Sequence, residues 1–119
     1  MSLDGEITIV GHAYFSRVQI SSRGKHYIHI DVVYEGMGKD GGDHGIGLIV
    51  CGEEAKKIET FLGFASSGHV LLCGKVGTKT WEVGKRVKAR SGINVTTMGV
   101  TRESGGQTLQ ISTDFVMFR

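Results

Sequence analysis

Proline is absent from this chain of 119 residues, and cysteine occurs only twice, at Cys51 and Cys73. Two thiols are too few for the disulfide framework of a small exported domain, so both are expected to stay reduced in the cytoplasm. No apolar run approaches the roughly 18 residues of a membrane helix. The opening MSLDGEITIVG has neither a basic segment nor a long apolar one, so no secretory signal is expected. Aromatic residues are sparse at 8%, with one tryptophan, Trp81. Glycine, by contrast, is abundant: 19 residues, more than twice the usual share of about 7%. Glycine dispersed through apolar segments suits bent strands and bulges better than long helices. With 39% hydrophobic residues, the length predicts one domain that buries a modest core without staples.

Acidic residues are scarce in the C-terminal part. Residues 1–74 carry six Lys/Arg against nine Asp/Glu, a net −3, whereas residues 75–119 carry eight against three, a net +5. A polyanionic partner suits that cationic part, although basic runs often form only a solvated edge.

Most segments read as strands. Glu6 to Val10 is short and β-branched and leads through Gly11 to Tyr14-Phe15 and then Arg17 to Ile20. Ser21 to Gly24 is a turn. Tyr27 to Tyr34 alternates, with Ile28, Ile30, Val32 and Tyr34 on one face and Tyr27, His29, Asp31 and Val33 on the other. Residues 36–47, rich in glycine and charge, read as a mobile loop before the short strand Leu48 to Cys51. Helical spacing occurs once, over Glu53 to Ala65, with Ala55, Ile58, Leu62 and Ala65 apolar and Gly63 or Gly68 as the stop. Val70 to Val76, Ile93 to Val100 and Thr108 to Phe118 complete the strands, the last two joined by a turn at Glu103 to Gly106. This order predicts an all-β domain with one short helix. It matches the OB-fold, a five-stranded Greek-key barrel with its helix between strands 3 and 4, here with an extra C-terminal strand. The expected boundaries are a single domain over 1–119, the barrel over 5–101 and the extra strand over 107–118.

The segment GKVGTKTWEVGKRVKARSG, Gly74 to Gly92, combines six Lys/Arg, one acid and the only tryptophan. Alternation puts Lys75, Lys79 and Trp81 on one side of the sheet, and Val70, Leu72 and Val76 toward the interior. After a turn at Gly84, Lys85-Arg86 are expected at a hairpin tip, with Lys88 and Arg90 on one face of the return strand. Such a hairpin suits single-stranded nucleic acid, whose bases stack on the ring while cations follow the phosphates. The segment by itself equally fits a solvated hairpin with Trp81 as an edge residue.

Over Leu48 to Val95 the chain resembles the bacterial-type single-stranded DNA-binding protein family. LIVCGEEAKKIETFL is similar to its strand, glycine and helix, and GHVLLCGKVGTKTW to its KGxxVxVxGxLxTRxW segment, through Gly68, Val70, Leu72, Gly74, Val76, Thr78, Lys79 and Trp81. Ile9-Val10-Gly11 resembles the first-strand glycine motif, and Gly105 to Gln110 the segment after the final barrel strand. The resemblance implies sequence-tolerant binding of single-stranded DNA in replication, recombination or repair, with homotetramers or dimers formed through the N-terminal strand. It also implies a cytoplasmic, nucleoid-associated protein. Departures are visible. Two stacking aromatics of the family fall near Gly45 and on Cys51, a family lysine is Glu53, and a basic position is Ser67. The family's acidic tail, which recruits repair partners, has no counterpart before Arg119. These departures suggest a divergent member, or a relative of the primosomal replication protein N family that acts mainly through protein contacts.

Trp81 is thus expected to stack a base, with Lys75, Lys79, Lys85, Arg86, Lys88 and Arg90 on phosphates, Arg17, Arg23 and Lys25 extending the track, and Tyr27 restoring some stacking. No catalytic, cofactor or metal site is expected. His12, His26, His29, His44 and His69 lack ligand spacing, and Cys51 and Cys73 read as small core residues on neighbouring strands. No phosphate-loop pattern occurs.

Overall fold

The computed structural model describes residues 5–34 and 44–119. Among these, eight strands and one helix follow in the order β1 (Glu6–Phe15), β2 (Gln19–Ile20), β3 (His26–Tyr34), β4 (His44–Cys51), α1 (Glu53–Leu62), β5 (Ser67–Val83), β6 (Arg86–Arg102), β7 (Thr108–Gln110) and β8 (Phe115–Phe118). The chain is therefore mostly strand with one short helix. All strand pairs are antiparallel: β1 with β3 and β5, β3 with β2 and β4, β4 with β8, and β6 with β5, β7 and β8.

Alternation sorts the strands as the residue types require. Ile28, Ile30 and Val32 of β3, Leu48 and Val50 of β4, and Val70 and Leu72 of β5 are buried in one core. Helix α1 closes it with Ala55, Ile58 and Leu62, the residues at helical spacing, and stops at Gly63 rather than Ala65. Truncating one such side chain to alanine typically costs about 2–5 kcal/mol. No helix among the described residues is long and apolar enough to cross a membrane.

The expected loop 36–47 is corrected in part: residues 44–47 belong to β4, paired with Asp31 to Tyr34 of β3, while 36–43 lie outside the described residues. Val76 is also corrected. It is 46% exposed, because the β5–β6 hairpin extends past the core at that point.

Two strands of 17 residues form that hairpin, and one irregularity divides it. Leu72 pairs with Met98 and Cys73 with Thr97, but Gly74 pairs with Val95, so Thr96 is an extra residue on β6. A bulge of this kind moves all later side chains of its strand to the other face. Accordingly Val100 and Met98 point into the core before it, and Ile93 after it. The segment expected as one strand, Thr108 to Phe118, keeps a single register against β6 (Gly99 opposite Gln110, Gly92 opposite Met117) but breaks into β7 and β8 opposite the bulge. Its inward parity changes there too: Ile111 is buried on one side of the break and Val116 on the other.

Gly92 permits β8 to lie this close. A Cβ there would strike the Val116 carbonyl oxygen, and would come within 2.6 Å of the Phe115 ring and 2.9 Å of the Met117 Cα. Two of these neighbours are backbone and cannot swing aside. Gly92→Ala is therefore expected to displace β8 and cost roughly 1–3 kcal/mol. Urea unfolding should show a lower midpoint, and an unchanged midpoint would contradict this packing.

Candidate nucleic-acid interface

The hairpin turns on Gly84-Lys85, with Val83 opposite Arg86. Gly84 has φ 63°, the positive value needed at the first central position of a two-residue turn, where glycine carries no steric cost. The tip is thus Gly84-Lys85, and Arg86 opens β6 instead of sharing the turn. Residues directly opposite each other share a face. On one face, rows run from the tip as Val83/Arg86, Trp81/Lys88, Lys79/Arg90, Gly77/Gly92 and Lys75/Asn94. Glu82, the acid of the segment, pairs with Val87 on the other face, in the company of Thr78, Thr80, Ala89 and Ser91. Every cation of these rows therefore meets Trp81's side of the sheet. Trp81 is partly buried, and the cations are exposed.

The same face continues through the register into the body. Gly92 is opposite Met117, Met117 opposite Ile49, Ile49 opposite His29, and Cys51 opposite Tyr27. Phe115, opposite Asn94, is partly buried here, with the Lys79 ammonium 5.8 Å from its ring centroid. The Tyr27 ring tilts against His29 at 5.4 Å, and its hydroxyl donates to Gln19 Oε1 at 3.0 Å. Tyr27 thus lies directly opposite Cys51. Asp31, an acid on this face, is met by Arg119, whose Nη1 donates to it at 3.3 Å.

Cys51, Gly52 and Glu53 with Gly24, Lys25 and His26 line a shallow groove of about 400 Å³. Cys51 is exposed, yet partial burial pushes its thiol up from the ordinary value, against the positive charges of Lys25, Lys79 and Arg90, which pull it down.

The structure thus brings Lys75, Lys79, Trp81, Lys88 and Arg90 to one face, with Arg86 and Lys85 at its tip, while Lys25 lines the groove at Cys51. Arg23 is exposed in the Ser21–Gly24 turn. Arg17 lies beside α1. Its Nε lies 3.4 Å from Glu59 Oε2 and its Nη1 donates to the Gly63 carbonyl at 3.4 Å, so the end of α1 holds it. Phe115 and Met117 were not anticipated, because uniform alternation along Thr108 to Phe118 would have put them inside.

The cysteines differ from expectation as well. Cys51 ends β4, Cys73 lies on β5, and these strands are not neighbours; neither residue belongs to the core. His12 and His69 are opposite each other on β1 and β5, with Glu103 Oε1 2.5 Å from His12 Nε2 and 3.6 Å from His69 Nε2. Among the described residues no group of three or more His, Cys, Asp or Glu is arranged to hold a metal ion. No protein-family model matches the chain, and no curated protein matches its sequence.

In a Cys73→Ser background, iodoacetamide alkylation of Cys51 should have its pH midpoint above the ordinary thiol range of about 8.5. Removing a positive charge removes a pull toward thiolate, so Lys79→Ala should move the midpoint higher still. A midpoint that stays put in Lys79→Ala would place Lys79 away from Cys51.

Proposed function

We propose that this chain is an OB-fold protein related to the bacterial-type single-stranded DNA-binding family, and that it binds single-stranded DNA with little sequence preference and without catalysis. Support for the fold comes from the pairings themselves: followed through β1, β3, β4, β8, β6 and β5 they lead back to β1. The helix falls between β4 and β5, the third and fourth long strands, as the OB order requires.

One observation carries the binding reading. Lys79 and Arg90 are directly opposite each other, next to Trp81 and Lys88. Like charges in that position work against folding by a few tenths to about 1 kcal/mol, so the fold does not ask for them. A polyanion turns that cost into attraction, and the indole beside it offers a stacking surface for a base. On this reading Trp81 stacks, Lys75, Lys79, Lys85, Arg86, Lys88 and Arg90 hold phosphates, and Arg23 and Lys25 extend the path. Arg17 is omitted because Glu59 already neutralises it. Such a role belongs in the cytoplasm, at the nucleoid, in replication, recombination or repair.

Self-association, as a dimer or tetramer through β1, is part of the reading. Val10 on β1 is opposite Leu71 on β5, and the two are 57% and 46% exposed, with Tyr14 further along β1 at 50%. That apolar surface also favours the second reading, a module of the primosomal type working mainly through protein contacts. Light scattering gives the mass, and DNA binding separates the two readings.

Oligo-dT should quench Trp81 fluorescence at low salt, and the emission should recover as salt rises. Unchanged emission at saturating oligo-dT, with no shift in anisotropy of labelled DNA, would remove this reading. Trp81→Ala should weaken binding at every salt concentration, whereas Lys85→Ala should lower the salt slope by about 0.7. Arg90→Thr should weaken DNA binding while leaving the free protein equally or slightly more stable. A clear loss of stability would show that Arg90 serves the fold instead.

A further inference from the structure

We propose that Phe115 is a second base-stacking platform, so that a bound single strand runs from Trp81 across Phe115 toward the groove at Lys25 and Cys51. The proposal rests on the single-stranded DNA reading above and assigns a ligand contact to the C-terminal strand.

The placement follows from three features. First, the bulge at Thr96 turns Phe115 outward: Val116 is fully buried opposite Ile93, so the residue before it must face the same side as Trp81. Second, the row between Lys79/Arg90 and Lys75/Asn94 consists of two glycines, Gly77 and Gly92, and so presents no side chain of its own. Neighbours lean into the space. The Phe115 Cζ lies 2.6 Å from where a Gly92 Cβ would be, and the Asn94 amide nitrogen occupies the corresponding place at Gly77. The edge of the ring therefore fills the space that the glycines leave in the cationic rows. Third, the Lys79 ammonium stands 5.8 Å from the ring centroid, with Arg90 directly opposite Lys79. Lys88 is the register partner of Trp81, and the Lys79 ammonium lies over the Phe115 ring, so each aromatic residue has a cation as neighbour on this face. A phosphate that takes up the Lys79 ammonium leaves the ring face to the base.

Phe115 is also held firmly enough to act as a platform. Val116 anchors it in the core, Val95 N donates to the Asp114 carbonyl at 2.9 Å, and Thr113 Oγ1 donates to the Phe115 carbonyl at 3.5 Å. One row separates Trp81 from the glycine pair, four residues and roughly 14 Å along the strand. A ligand must therefore be several nucleotides long to engage both rings, within the 4–16 nucleotides that one OB domain commonly covers.

The test uses two variants and the full chain. Phe115→Leu keeps an apolar side chain but removes the aromatic face; its Kd for oligo-dT of 20 nucleotides should rise roughly 5- to 150-fold at fixed low salt, with an unchanged thermal midpoint. The double variant Trp81→Phe, Phe115→Trp moves the single indole to position 115, and its emission should be quenched by the same DNA. Wild-type protein that binds, together with a Phe115→Leu affinity within twofold of it and an unquenched indole at 115, would overturn the proposal while leaving the function intact. Failure of the wild-type protein itself to bind would overturn both.

Discussion

One extra residue, Thr96, governs which side chains of this protein meet. Between Cys73 and Gly74 the pairing of β5 with β6 slips by one position, and a strand's two faces exchange when its register does. Had the register of Leu72 with Met98 continued, Lys88 and Arg90 would stand opposite Glu82 and Thr80, on the face away from Trp81. The slip instead gathers indole and cations on one side and leaves the acid on the other. It also lets one strand serve the core twice, with Val100 and Met98 before the bulge and Ile93 after it. A neighbouring ladder cannot follow such a bend without interruption, which is why the C-terminal segment divides into β7 and β8 while holding its register.

The C-terminal strand then links the hairpin to the rest of the sheet. β8 pairs with β6 and β4, puts Val116 into the core, and spreads Phe115 and Met117 over the outer face. Next to it, Arg119 meets Asp31, an acid that would otherwise repel a phosphate. Both partners are about half exposed, so the pair adds at most about 1 kcal/mol of stability. Its consequence is electrostatic: the acid on the β3 side of the face is offset.

Stability and binding pull apart at this face. The hairpin's last core residue is Ile93, opposite Val76, and past the glycine pair the rows place like charges side by side. On the proposed reading the distal hairpin serves a ligand more than the fold. The opposite end of the chain shows the converse. Arg17 lies within reach of Glu59, whose Oε2 also accepts from the Val18 backbone at 2.6 Å, so there an exposed cation has an acid beside it.

Much was legible in the residues themselves. β-branched alternation marked the strands, and the spacing of Ala55, Ile58 and Leu62 marked the helix, while the choice between Gly63 and Gly68 as its stop stayed open. The parity of Lys75, Lys79 and Trp81 placed them together because all three lie on one uninterrupted strand after the bulge. Local pattern suffices wherever a single element sets the outcome. It could not decide the partners of that face, because those depend on a register slip between strands. Lys88 and Arg90 could have faced either way, Phe115 would have been buried by simple alternation, Cys51 and Cys73 gave no sign of lying on separated strands, and Arg17 looked as free as Lys25. The sequence alone determined an all-β chain with a cationic, tryptophan-bearing hairpin. Tertiary structure decided which side chains that hairpin faces, because a bulge at Thr96 is set by packing on both sides of β6 and reverses every face beyond it.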